Sequence, residues 1–169
     1  MNIRFQLVCI LFFLASSTGV NAQGKYSGAF KKLIGTTFKD ERHMTSLPGY
    51  KFRQGSMVGD VFGPHPMGLY VFIKGSSAVV ALTQVADSAA NIPTIVDVID
   101  VRNIPKGWEI KTGGCQVGET EGQTIVGLVN PGKQEYTKVI RLAWLCNLDK
   151  LRFEATSTKN MKCLNEGLE

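Results

Sequence analysis

Between residues 69 and 163 the chain alternates short segments of β-branched or alternating apolar residues with connections that are mostly only a few residues long. Such segments are typical of β-strands, and connections this short cannot contain the helical crossover that joins parallel strands. The sequence therefore predicts a β-rich fold of the α+β class, with a mainly antiparallel sheet that can also close into a small sandwich or barrel. The predicted strands are residues 69–74, 77–83, 94–101, 108–112, 123–130, 136–146, 151–156 and 161–163.

The first 22 residues have the three parts of a cleavable signal peptide. Arg4 supplies a positive charge, residues 5–15 are an apolar run, and Val20-Asn21-Ala22 has the small-x-small form that signal peptidase cleaves. The apolar run is much shorter than the roughly 20 residues that a membrane-spanning helix needs. We therefore expect cleavage after Ala22 and a secreted or periplasmic protein that does not span a membrane, with the bacterial or eukaryotic route left open.

One or two short helices are expected near the mature N-terminus. Tyr26, Phe30, Leu33 and Ile34 recur at helical spacing, and Gly35 follows them as a helix stop. This segment is predicted to form a short amphipathic helix.

Residues 36–56 are polar and contain Pro48-Gly49 and Gly55, so they are expected to be irregular and to cross the surface. The mature chain is thus divided into a basic helix with an irregular arm, residues 23–56, and a β-rich domain, residues 57–169. We expect the two to form a single globular unit.

Cleavage of the signal peptide leaves Cys115, Cys146 and Cys163, and an oxidising compartment favours one disulfide among them. Cys146 and Trp144 lie on the apolar face of an alternating strand, which indicates a core position for both. We predict a Cys115–Cys163 disulfide that ties the chain end to the sheet, with Cys146–Cys163 as the alternative. The sequence holds no Cys-x-x-Cys, so redox catalysis is not favoured.

The positive charge of the mature chain is concentrated in residues 23–54. A basic segment of this kind is often only a solvated face, but it also indicates attraction for an acidic partner. Two further candidates lie outside it: His65, held between prolines, and Trp108, which follows a turn and resembles a binding hot spot. The candidate binding residues are Lys31, Lys32, Lys39, Arg42, Lys51, Arg53, His65 and Trp108.

The usual catalytic and cofactor motifs are not found in the sequence, among them G-x-S-x-G, the phosphate-binding P-loop and H-E-x-x-H. His43 and His65 have no second metal ligand at standard spacing, and Glu119 and Glu121 provide fewer oxygen ligands than calcium requires. We therefore predict no cofactor, no metal and no catalytic residue, and no nucleic-acid partner.

Asp97 and Asp100 lie in a nearly continuous apolar strand. Their odd spacing places them on opposite faces, so they cannot easily form an acid–base pair. Each is expected to meet a basic residue or to lie at a strand end, because a buried carboxylate needs a partner.

The sequence favours an exported binding module that recognises a protein or an acidic envelope polymer, with an inhibitor or immunity-type role as one form of it. Two alternatives remain open. One is a small secreted hydrolase that uses His65 with Asp60 or a strand carboxylate. The other is a structural subunit of an envelope assembly, which would show an unpaired sheet edge or a large exposed apolar patch.

Overall fold

The computed structural model describes residues 28–85, 92–118 and 123–166. Three features of the sequence analysis lie outside the described residues: the predicted signal peptide, the start of the predicted helix, and the acidic residues Glu119 and Glu121. In the described ranges the strands are β1 (Lys51–Val58), β2 (Met67–Lys74), β3 (Ser77–Val85), β4 (Pro93–Val101), β5 (Glu109–Lys111), β6 (Cys115–Val117), β7 (Ile125–Val129), β8 (Tyr136–Thr137), β9 (Ile140–Asn147), β10 (Arg152–Ala155) and β11 (Met161–Leu164).

The strands form three sheets in which every recorded strand pair is antiparallel. Sheet I has the order β1-β2-β3-β4, sheet II the order β10-β9-β7-β5, and sheet III the order β6-β11-β8. The β-rich, antiparallel prediction is therefore confirmed. Helix is scarcer than expected: the described residues contain one helical turn, α1 (Gly28–Lys31), and one 3₁₀ turn (Glu41–His43).

Sheets I and II pack face to face and enclose the main core. Alternate residues of β2 and β3, such as Leu69, Val71 and Val80, meet Leu128 and Trp144 from sheet II. Because side chains of a strand point alternately to its two faces, these residues all belong to one face of their sheet. Trp144 is only 2% exposed, and Cys146 is buried in the same core, as the sequence predicted.

The opposite face of sheet I is covered by residues 30–50, and the two together form a second core. Leu33, Phe38 and Leu47 are buried there against side chains such as Phe72 and Ile95. The backbone helps to hold this covering segment, because Gly35 donates to the carbonyl of Ile95 at 2.8 Å. The segment that was expected to cross the surface is thus held against sheet I by its apolar side chains.

Sheet III packs on the outer face of sheet II around a third apolar cluster that contains both half-cystines. Cys115 and Cys163 are directly opposite each other on β6 and β11, and they form the predicted disulfide. Cys146 is free and buried, so the alternative Cys146–Cys163 pairing is wrong.

Three local predictions differ from the structure. Residues 51–56, expected to be irregular, belong to strand β1, where the less exposed side chains alternate with exposed ones up to Val58. The single strand predicted at 136–146 is divided into β8 and β9, and the short β6 was not predicted. Strand β1 was missed because it has few apolar residues of its own. Its conformation is held by antiparallel pairing with β2, which is a tertiary effect.

The predicted strands 69–74 and 77–83 leave only Gly75-Ser76 between them, and the structure confirms a two-residue hairpin there, since Lys74 pairs with Ser77 across it. Gly75 has a φ of 57°, which glycine adopts without the steric cost of a side chain. Within the described ranges, no helix has the length and apolar character needed to cross a membrane.

Candidate functional site

A groove of about 1050 Å³ opens at one side of the sandwich, between the edges of the two main sheets. Strand β1 is the end strand of sheet I, and β5 is the end strand of sheet II. One wall consists of residues 51–54 of β1 together with the β2–β3 hairpin, and the other consists of residues 104–110. A groove of this size is comparable with the pockets that bind ligands in other proteins.

Side-chain hydrogen bonds hold the two edges together at one end of the groove. Thr112, just after β5, has its hydroxyl oxygen 3.2 Å from Nε2 of Gln54 and 3.2 Å from the hydroxyl of Ser56. A smaller cavity of about 330 Å³ lies beside this end and shares Gln54, Glu109 and Ile110 with the main groove.

The floor of the groove is apolar because it reaches the core between the sheets. Val71 of β2 is 1% exposed and Ile110 of β5 is 7% exposed, and both also line the groove. Ile73 and Ile104 pack against the same core at its margin. Ile73 and Ile104 are partly exposed, so they provide the apolar surface that a ligand side chain in the groove would contact.

Trp108 stands in the wall formed by the β4–β5 connection and is half-buried. Two backbone hydrogen bonds position this connection: Ile104 donates to the carbonyl of Ser76 at 2.8 Å, and Trp108 donates to the carbonyl of Pro105 at 3.1 Å. Gly107 has a φ of 82°, a backbone conformation that glycine adopts without steric cost and that this tight turn requires. The indole is therefore held by a wall that is tied to the β2–β3 hairpin.

The rim of the groove is basic. It carries Lys51, Arg53, Lys74 and Lys106 against the single carboxylate of Glu109. Glu109 is itself paired with Lys111, at 3.3 Å. The positive potential of the rim is thus opposed by only one carboxylate, which another cation already neutralises in part.

The four rim cations differ in how they are held. The ammonium of Lys74 donates to the carbonyl of Pro48 at 3.3 Å and lies 5.8 Å from the ring centre of Tyr50. Across the described part of the chain, Lys51, Arg53 and Lys106 take part in no ion pair. These three are the cations most available to an acidic partner.

The structure brings together some of the candidate binding residues and separates others. Lys51, Arg53 and Trp108 line one groove, although Trp108 lies more than 50 positions after the two basic residues in the sequence. The remaining basic candidates are exposed in the segment that covers sheet I, and none of them lines the groove; they are Lys31, Lys32, Lys39 and Arg42.

Sequence reasoning missed Lys74 and Lys106 as members of the site. Both flank turns that the sequence does show, the Gly75-Ser76 hairpin and the Pro105-Lys106-Gly107 turn. A lysine beside each turn was a usable signal, but nothing local indicated that the two turns lie next to each other.

His65 is exposed in the connection between β1 and β2 and does not line the groove. In the same connection Asp60 accepts a hydrogen bond from the backbone of Phe62 at 3.1 Å, and the Phe62 side chain is 96% exposed. The proposed hydrolase pair of His65 and Asp60 stays a prediction. In the described ranges, no group of three or more potential metal ligands is arranged to hold a metal ion.

The two strand carboxylates lie on opposite sides of sheet I, as their spacing indicated. Asp97 faces sheet II and accepts hydrogen bonds from the backbone of Val98 at 2.9 Å and of Phe153 at 2.6 Å.

Asp100 pairs with Arg102 at 2.6 Å. Partial burial raises the pKa of the nearby Tyr50, the charge of Asp100 raises it further, and Arg102 opposes this effect. Asp97 therefore joins the two sheets, and Asp100 meets the basic residue that was expected.

The free thiol of Cys146 is predicted to be unreactive in the native protein. Burial raises its pKa to about 12, and the neighbouring Asp97 adds to the effect, so almost no thiolate is present at neutral pH. We expect the oxidised mature protein to react with iodoacetamide at no cysteine when native and at Cys146 alone in denaturant, as measured by intact mass. Rapid native labelling would show that the sheets open near β9.

Comparison with known proteins finds no family model that matches the chain. Neither the curated proteins nor the solved structures provide a match. The assignment of a function therefore depends on the geometry and charge of the groove.

Proposed function

We propose that this protein is an exported binding module that recognises an acidic region of a protein partner through the groove between β1 and β5. The observation that carries the proposal is the combination of a basic rim with an apolar floor beside Trp108. Basic side chains attract and orient an acidic partner, whereas desolvated aromatic and apolar contacts provide most of the affinity. Both kinds of contact are present in one concave surface.

Export is part of the same proposal and is supported by the sequence of residues 1–22 and by the Cys115–Cys163 disulfide. Disulfides persist in oxidising compartments and are rare in reducing ones. An acidic envelope polymer is the competing partner, because it would also be attracted to the rim. Such a polymer would make fewer contacts with the apolar floor of the groove, and for that reason we favour a protein.

The test measures binding of a fluorescein-labelled peptide of four Glu-Val repeats to the mature protein, residues 23–169, by fluorescence anisotropy. The variant is K51E with R53E, which reverses two unpaired cations of the rim. We expect at least tenfold weaker binding, about 1.4 kcal/mol, and a smaller dependence on salt between low ionic strength and about 0.15 M.

The matched control is K31E with K32E, which makes the same change in net charge at two exposed lysines outside the groove. This control is expected to bind within about twofold of the unmodified protein, because screening weakens distant charges. Equal losses in both variants would show that net charge alone attracts the peptide. Binding of heparin in place of the peptide would transfer the proposal to an acidic polymer, and binding of neither would contradict it.

A further inference from the structure

We infer that the acidic segment binds in an extended conformation and adds to sheet I as a new strand beside β1. This inference rests on the proposed function and specifies how the partner is recognised. Strand addition is a common mode of peptide recognition, in which backbone hydrogen bonds contribute affinity and alternate side chains contribute specificity.

The backbone of β1 provides the first argument. The strand is eight residues long and pairs with β2 along one side, from Lys51 opposite Ile73 to Val58 opposite Met67. A strand presents N–H and C=O groups to both sides, so the side away from β2 carries a row of them. In the described part of the chain, no strand pairs with that side. The groove follows this edge along residues 51–54.

The groove beside this edge provides the second argument. An extended segment places alternate side chains on opposite sides of its backbone. The set that faces sheet II would meet the partly exposed Ile73 and Ile104, and it would also meet Lys51, because Lys51 is the register partner of Ile73 and shares its face of sheet I. The chemistry of the site therefore fits an extended segment of about five to eight residues that carries both acidic and apolar side chains.

The charges of β1 also argue against a second copy of this chain as the occupant. Antiparallel pairing of two whole β1 edges would place Lys51 of each copy opposite Val58 of the other and Arg53 opposite Ser56, so the four cations would meet no carboxylate on the paired strands. The same strand has a bulge between Phe52 and Gln54. Edge charges and bulges both hinder indiscriminate strand pairing. The positive charges of Lys51 and Arg53 therefore favour an acidic segment as the partner of β1.

The test uses two N-methylated forms of the peptide of four Glu-Val repeats. In one form the amides of all Glu residues are methylated, and in the other the amides of all Val residues. In an added strand the N–H groups of alternate residues point to the same side, so only one set can donate to β1. We expect one form to bind at least tenfold more weakly than the unmethylated peptide and the other to bind within about threefold of it.

Hydrogen exchange of the mature protein with and without the unmethylated peptide locates the paired edge. We expect slower amide exchange in residues 51–58 when the peptide is bound. Slower exchange confined to residues 109–111 would overturn the assignment to β1. Equal effects of the two methylations, whether both forms bind or neither does, would overturn strand addition while the proposed function stands. The proposed function itself fails if the unmethylated peptide does not bind.

Discussion

Replacing both Cys115 and Cys163 with alanine is expected to lower the free energy of unfolding by about 4 kcal/mol, the value that chain entropy gives for half-cystines 48 positions apart. The cross-link limits the unfolded chain, so its loss stabilises the unfolded state. It also joins β6 to β11, which is the central strand of sheet III. We expect the segment Met161–Leu164 to lose protection from hydrogen exchange first.

Urea denaturation of the mature protein measures this effect, with C146A as the control. Cys146 is a buried cysteine outside the disulfide, and its truncation removes only packing, worth about 1 kcal/mol. If the double variant does not fold, reduction of the unmodified protein with dithiothreitol gives the same comparison. A double variant as stable as C146A would show that the cross-link contributes little.

Replacing Asp97 with alanine is expected to lower the free energy of unfolding by about 3 kcal/mol, because it leaves buried backbone N–H groups without an acceptor. Asp97 is 2% exposed, and its carboxylate accepts the amide of Phe153 across the gap between the two sheets. Phe153 is the register partner of Cys146, so the contact lies beside the main core. The substitution therefore weakens the joint between β4 and β10.

Two further variants make the Asp97 experiment specific. D97N keeps one acceptor oxygen and is expected to fall between alanine and the unmodified protein. D149A removes an exposed carboxylate and is expected to change stability by less than about 0.5 kcal/mol. If D97A unfolds at the same urea concentration as D149A, the inter-sheet hydrogen bond does not stabilise the fold.

Local patterns were sufficient for much of the fold. The alternation in β9 assigned Trp144 and Cys146 to the core, and the glycine of the Gly75-Ser76 hairpin marked the turn between β2 and β3. The Cys115–Cys163 pairing followed once Cys146 had been assigned to the core. By contrast, β1 was missed because its residues lack a continuous apolar face and depend on β2 for their conformation.

The candidate site was only partly predictable for a related reason. Sequence analysis selected Lys51, Arg53 and Trp108 separately, for charge and for exposure, and it also selected residues that lie elsewhere, such as Lys39 and His65. Charge and residue type identify surfaces that attract a partner. They do not show which of those surfaces form the walls of a common groove.

The sequence by itself determined that this chain folds into antiparallel strands with short turns, because alternation and turn chemistry act between near neighbours in the chain. It favoured the Cys115–Cys163 disulfide, and the tertiary structure excluded the Cys146–Cys163 alternative. Only the tertiary structure decided which strands became edges. The stacking of sheet I on sheet II placed β1 beside β5, and so brought Arg53, Lys106 and Trp108 around one apolar floor. That proximity arises from the packing of the sheets, since no local pattern links residues so far apart in the chain.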